Sequence, residues 1–131
     1  MTYTSLVKEF SDVCNDHSLP AVPQLLDVQA VEFVAEMVND ELDELRQAQN
    51  VVEQADALVD AIYYICDAAV RHGLNLDPVF EIVHRANMAK VVDGKVIRRD
   101  DGKILKPHGW QDPAPLLIAE LDRQQGRGSW E

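Results

Sequence analysis

Apolar residues recur at helical spacing through most of the chain, and two stretches dominate the pattern. Between residues 31 and 48, Val31, Val34, Ala35, Val38, Leu42 and Leu45 form a stripe at i, i+3, i+4 and i+7. This predicts an amphipathic helix with that side against a core. Glu36, Asp40, Asp43 and Gln47 fall opposite it and read as a solvated face. Glu41 and Glu44 lie on the flank, between the stripe and Phe33, Met37 and Ala48, so they are expected to be half-buried. Three residues apart, their carboxylates are neighbours. Between residues 53 and 72 the apolar positions run nearly all round. Ala55, Leu58, Val59, Ile62, Ile65, Cys66 and Ala69 cover one side, and Ala57, Ala61, Tyr64 and Ala68 continue it. Glu53, Asp56, Asp60, Asp67 and Arg71 are left in one narrow stripe. A helix this apolar is expected to be buried, and its polar stripe to face a partner helix, a cavity or a metal.

The remaining elements follow from the same periodicity and from chain breakers. Residues 5–15 predict a short helix with Leu6, Phe10 and Val13 on one face. Pro20 and Pro23 then bar a continuous helix and impose a loop. The two dominant helices are expected over 27–48 and 52–72, turning near Asn50, with Gly73 ending the second. Asp77-Pro78 predicts an N-cap and first helical position for a fourth helix, whose core face is Val79, Phe80, Val83 and Ala86. Asp93-Gly94 and Asp101-Gly102 predict tight turns around a small basic hairpin or ordered loop. Residues 114–124 form a last helix with Leu116, Leu117, Ile118 and Leu121 apolar, and 125–131 are expected to fray. The expected fold is all-α, an antiparallel bundle of four to five helices in one domain. It divides into an N-terminal helix and Pro loop (1–26), the central helices (27–90), the basic loop (91–113) and a C-terminal helix and tail (114–131). A hairpin apolar on both sides needs more burial than one chain offers, so a homodimer or homotetramer is expected.

Composition sharpens this in two respects. The net charge of −11 argues against nucleic-acid or anionic-membrane binding, which needs basic surface. The charge is uneven: seven of the 12 basic residues lie between Arg85 and Lys106 against three acids, so that segment carries +4 and the remainder −15. An acidic half beside a basic segment suits a metal–polyphosphate ligand, although a solvated basic loop would look the same. Cys14 and Cys66 both fall on apolar helical faces without framework spacing, which predicts buried free thiols in a reducing compartment. No signal-peptide pattern is present and Asp60 and Asp67 interrupt the longest apolar run, so a cytoplasmic protein without a membrane span is expected.

Candidate chemistry sits where the two central helices fold together. With the turn at Asn50, equal distances along antiparallel helices set Glu44 opposite Asp56, and Glu41 opposite Val59 and Asp60, with Glu53 closer to the turn. Four carboxylates at one level repel and are costly to bury. Hard divalent cations such as Mg²⁺ are the usual compensation, while solvation of all four acids is the alternative reading. Glu81-x-x-His84 matches half of a di-iron bundle motif, but the second pair it needs is missing.

Glu41-x-x-Glu44, followed by a helix carrying Asp56-Ala-Leu-Val-Asp60-Ala-Ile-Tyr-Tyr, resembles the all-α NTP pyrophosphatases: the MazG-like, dimeric dUTPase-like and phosphoribosyl-ATP pyrophosphohydrolase-like enzymes. The likeness continues through His84-Arg85-Ala86-Asn87-Met88-Ala89-Lys90, Asp93-Gly94-Lys95, Asp101-Gly102-Lys103 and Lys106-Pro107-His108-Gly109-Trp110, and so spans about residues 31–113. The resemblance implies hydrolysis of a nucleoside triphosphate to monophosphate and pyrophosphate. It implies Mg²⁺, or Mn²⁺ in its place, held by Glu41, Glu44, Asp56 and Asp60, with Glu41, Glu44 and Asp60 in catalysis and Glu53 a doubtful ligand. The family pattern is ExxE then ExxD: with Asp60 as its last acid it is broken at Ala57, three before, and with Asp56 as that acid Glu53 fits but the gap after Glu44 is shorter than the family usually has. Substrate contacts are implied for Asn87, Lys90, Arg85, Lys106 and Trp110. For Lys90 a cation near a helix C-terminus, and for Trp110 a plug at a core edge, are the structural alternatives. A deoxypyrimidine triphosphate such as dUTP or dCTP leads as substrate, in nucleotide-pool house-cleaning. Phosphoribosyl-ATP hydrolysis is the alternative within the class, and a catalytically silent nucleotide-binding adaptor the alternative outside it.

Overall fold

The computed structural model describes all of Met1–Glu131, and the chain is all-helical. Five helices follow in order: α1 (Tyr3–Cys14), α2 (Val28–Gln47), α3 (Val51–Arg71), α4 (Leu76–Met88) and α5 (Ala114–Arg127). No helix is long and apolar enough to cross a membrane. Helices α2 and α3 form the expected hairpin, α1 packs on α3, and α5 packs on α4.

Local chemistry fixes each helix start. Thr2 and Ser5 form a capping box on α1. The Asp27 side chain accepts the Ala30 amide at 2.8 Å to open α2. Asn50 caps α3 by accepting the Glu53 amide at 2.9 Å, while the Glu53 carboxylate accepts the Gln49 amide at 2.7 Å. These two reciprocal bonds make the tight α2–α3 turn without Gly or Pro. The start of α4 differs from expectation. Asn75, not Asp77, is the N-cap, and its side chain accepts the Asp77 amide at 3.0 Å. Asp77 instead accepts a hydrogen bond from the Thr2 hydroxyl at 2.8 Å, tying α4 to the start of α1.

The basic segment is an ordered loop with two isolated antiparallel bridges, Val92 to Lys95 and Arg98 to Ile104. Asp93 (φ +52°) and Gly94 (φ +75°) take the paired positive φ angles of a two-residue hairpin turn.

Burial inside the protomer departs most from the sequence reading. Only 11 of 131 residues are buried, and the core is small: Val7, Cys66 and Val70, with Trp130 packed against them. Helix α1 turns Thr4, Val7 and Ser11 inward and leaves Leu6, Phe10 and Val13 exposed, the reverse of the expected face. Helix α2 buries no residue. Helix α3 buries Ala57, Ala61, Cys66, Ala69 and Val70, while Leu58, Val59, Ile62 and Ile65 face outward. Small residues therefore set the close helix contacts, and the large ones are left exposed. Cys66 is buried as expected; Cys14 is exposed, because it lies in the last turn of α1 where nothing covers it.

The expected frayed tail is instead a latch. The Ser129 hydroxyl, fully buried, donates to the Gly73 carbonyl, and the Ser129 amide donates to Ala21 at 2.9 Å. Gln124, also fully buried, exchanges two hydrogen bonds with the Asn75 backbone at 3.1 and 3.0 Å. Gln125 donates to the Pro23 carbonyl at 2.6 Å, and Lys8 sits 5.2 Å over the Trp130 ring. Gly73 takes φ +74° beneath this latch, and a Cβ there would stand 2.1 Å from the Val22 carbonyl oxygen. Only glycine fits both conditions.

Candidate active site

The α2–α3 seam carries the acids. Helical rotation places Glu41 and Glu44 of α2 on one face with Phe33 and Met37, and Asp56 and Asp60 of α3 on one face with Asp67 and Arg71. Glu41 is half-buried as expected and so is Asp60, whereas Glu44 and Asp56 are exposed near the open turn. Oε2 of Glu41 is fully buried and has no hydrogen-bond partner. An unpaired buried carboxylate oxygen is costly and calls for a partner, a water or a cation.

The electrostatics agree that these groups share one space. Glu41 holds its proton more tightly than an ordinary glutamate, first through burial, then through the adjacent Glu44 carboxylate, then through the charges of Asp60 and Asp56. Asp60 is shifted the same way by burial and by the charges of Asp56 and Glu44. No three acidic, histidine or cysteine side chains are gathered closely enough to hold a metal ion. Like charges spread apart, and these four are coupled at a distance rather than drawn together. Their chemistry nevertheless suits a hard cation: they are oxygen donors only, mutually repulsive, with one orphaned buried oxygen.

One of the remaining acids has other work. Glu53 spends one carboxylate oxygen on the Gln49 amide at the α3 cap. The position three before Asp60, Ala57, is 3% exposed and packed in the core, so a longer side chain has no room there. Read with Asp60 as its last acid, the ExxD pattern has a packing residue in place of its glutamate; read with Asp56, Glu53 stands three before it.

Two cavities lie along the same seam. Toward the turn, an open pocket of about 260 Å³ is lined by Glu44, Gln47, Ala48, Glu53 and Asp56. Toward the other end, a cavity of about 540 Å³ lies between the first turns of α2 and the last turns of α3, with Phe33, Tyr64, Asp67 and Arg71 in its walls. The sequence reading counted Asp67 and Arg71 in the polar stripe without giving them a site; their continuity with Asp60 at helical spacing was the available signal.

The expected substrate residues gather elsewhere in the protomer. A third cavity, of about 930 Å³, lies between α4, the basic loop and α5, and includes Arg85 and Trp110 in its lining. The Trp110 indole donates from Nε1 to the Ala86 carbonyl at 2.7 Å, with the Lys90 and Lys106 ammonium groups 5.5 and 4.8 Å from its ring. Lys90 also donates to Asn87 at 3.1 Å. Trp110 thus fastens the loop to α4. Arg85 pairs with Glu81 and Arg99 with Asp101, and no ion pair joins the basic segment to the acids of α2 and α3. The expected approach of basic side chains to the acidic site does not occur within one protomer.

Residues 7–87, more than half of the chain, match a family model described as phosphoribosyl-ATP pyrophosphohydrolase. The matched segment runs from α1 through nearly all of α4 and contains the whole acidic seam. No curated protein matches the chain.

Proposed function

The chain belongs to the phosphoribosyl-ATP pyrophosphohydrolase family, within the all-α NTP pyrophosphatases, and on that premise we propose that its acidic seam splits a nucleoside triphosphate into monophosphate and pyrophosphate. The observation that carries the reading is the half-buried Glu41, with its orphaned Oε2, coupled to Glu44, Asp56 and Asp60 across the hairpin. Glu41, Glu44, Asp56 and Asp60 would hold Mg²⁺, or Mn²⁺ in its place. When bound, the ion supplies charge neutralisation on the phosphate oxygens.

The protein's own contribution is positional and acid–base. One of the seam carboxylates, Glu41, Glu44 or Asp60, takes the proton from the water that attacks the α-phosphorus. Asp60 and Glu44 hold the seam's negative charge in place, so that a cation-complexed triphosphate is drawn to it and a free anion is not. Charge building on the departing pyrophosphate calls for cations. Lys90, Arg85 and Lys106 are suited to this, with Asn87 orienting Lys90. In the protomer they stand on the α4 side, so the complete site is supplied by a second copy in a homodimer or homotetramer. Exposed Phe10, Ile62, Ile65 and Phe80 give such an assembly its apolar surface.

A deoxypyrimidine triphosphate such as dUTP or dCTP, cleared in nucleotide-pool house-cleaning, is the leading substrate on the loop motifs from residue 84 to 110. Phosphoribosyl-ATP is the second reading, favoured by the family match. Product analysis decides. The purified protein is given ribo- and deoxynucleoside triphosphates and phosphoribosyl-ATP, with Mg²⁺ and with chelator. Monophosphate and pyrophosphate, released only with the metal, is the expected outcome and ranks the substrates. Diphosphate with orthophosphate would sink the reading.

A further inference from the structure

We propose that the 540 Å³ cavity between the first turns of α2 and the last turns of α3 holds the nucleobase of the substrate, with Phe33 as its stacking face and Asp67 and Arg71 reading its edge. The proposal rests on the pyrophosphohydrolase reading of the acids and adds where the other end of the nucleotide lies.

Position along the seam is the first argument. Asp60 and Asp67 share a face of α3, seven residues and so about 10 Å apart along the axis, a length that a sugar ring and its links bridge. Glu41 and Phe33 share a face of α2, eight residues apart in the same direction from the turn. A nucleotide with its phosphates at Glu41 and Asp60 and its chain running away from the turn therefore reaches this cavity without leaving the seam. The volume lies within the range of small-molecule sites.

The lining is the second argument. Phe33 is 47% exposed, on a helix that buries nothing, and it offers a flat aromatic wall beside Tyr64. Asp67 and Arg71 stand one helical turn apart, with the carboxylate oxygen 3.8 Å from the guanidinium nitrogen, too far for a hydrogen bond. The carboxylate is acceptor-only and the guanidinium donor-only. Ion-paired side by side but not hydrogen-bonded to each other, they match a heterocycle that presents an N–H donor next to a ring or carbonyl acceptor. His72 closes the far end, its ring held by a 2.8 Å hydrogen bond from Nδ1 to the Ala68 carbonyl. The seam is thus graded from a mostly polar pocket at the turn, through the acids, to an aromatic cavity with one donor–acceptor pair.

The test is equilibrium binding of α,β-imido nucleoside triphosphates bearing each common base, and of imido-triphosphate without a base, to the full chain in Mg²⁺. The wild type is expected to rank the bases. Asp67→Asn and Arg71→Met, both at accessible positions and checked for unchanged melting, should each shrink that preference by about tenfold or more. Phe33→Ala should weaken every base while sparing the order. Retention of the base ranking in both edge variants overturns the proposal. So does an equal loss for all bases and for the base-free probe, or a wild type that binds all bases alike. Failure of the pyrophosphohydrolase reading shows separately, as natural nucleotides bound with a base preference but never released as monophosphate and pyrophosphate.

Discussion

Glu41 lies within the electrostatic reach of three other carboxylates, Glu44, Asp56 and Asp60, across the hairpin. Helical periodicity placed Glu41 on a half-buried flank, and the hairpin register set it across from Asp60. Only the folded chain shows that one Glu41 oxygen is sealed without a partner. Substituting Glu41→Gln should reduce turnover on the order of 10²-fold or more, the scale of losing a proton-transferring or charge-stabilising group. The same variant should melt no lower than the wild type without divalent cation, because it removes a repelled charge. The pH dependence separates two kinds of acid. Glu41 and Asp60 have raised values in the folded state, so the folded chain keeps their protons longer than the unfolded chain. Their contribution is fully present below the ordinary carboxylate range and is lost as pH rises through the raised values. Glu120 is the opposite case. The Arg123 guanidinium holds it below the ordinary glutamate value of 4.5, against a burial effect that raises it and with help from Gln124. Its stabilisation is present above that value and lost as pH falls through the depressed one. Glu120→Gln should therefore flatten the acid limb of a stability–pH profile, and Glu41→Gln the limb on the other side. Asp56 and Ala57 show what periodicity can do: about 100° apart on α3, they fall on the polar stripe and on the packed side as their spacing implies.

At the scale of elements, helix existence was readable and helix context was not. The hairpin, the loop turns and the stop at Gly73 follow from side-chain period, Asp-Gly dipeptides and glycine. The start of α4 was misplaced because Asp77-Pro78 is a good local signal. Asn75 wins as the cap since its backbone is already held by Gln124, 49 residues away. The α1 face was inverted because Thr4 and Ser11 are small enough to lie against the alanine-rich side of α3, while Phe10 is not. Gly73 concentrates these constraints. Gly73→Ala must adopt a left-handed φ and push a Cβ into the Val22 carbonyl, and should lower stability by at least about 2 kcal/mol by chemical denaturation. Gln124→Ala leaves the part-buried Asn75 amide and carbonyl without their partner, at about 1 kcal/mol or more.

For the whole molecule, the notable property is how little the protomer buries. The apolar circumference of α3 was legible, and much of it stands exposed on the folded chain. The sequence could not show that α2 would bury nothing, since a stripe at helical spacing looks the same whether its partner is in the same chain or another. Analytical ultracentrifugation of the full chain should show a dimer or larger. Charge substitutions at Ile62 and Ile65 should shift it toward monomer and lower turnover together, if the basic segment of one copy completes the seam of the next.

The latch carries a consequence for the order of folding. The α2–α3 hairpin closes through contacts between neighbouring segments, whereas Gln125 reaches back 102 positions to Pro23, and Ser129 reaches back 56 to Gly73. Closing so long a loop costs entropy before any contact repays it, so these bonds form after the rate-limiting barrier is crossed. Removing the Ser129 hydroxyl should then leave the refolding arm of a chevron nearly unmoved and steepen the escape from the native state. The last turn of the chain would act as a brake on unfolding rather than as a guide to folding.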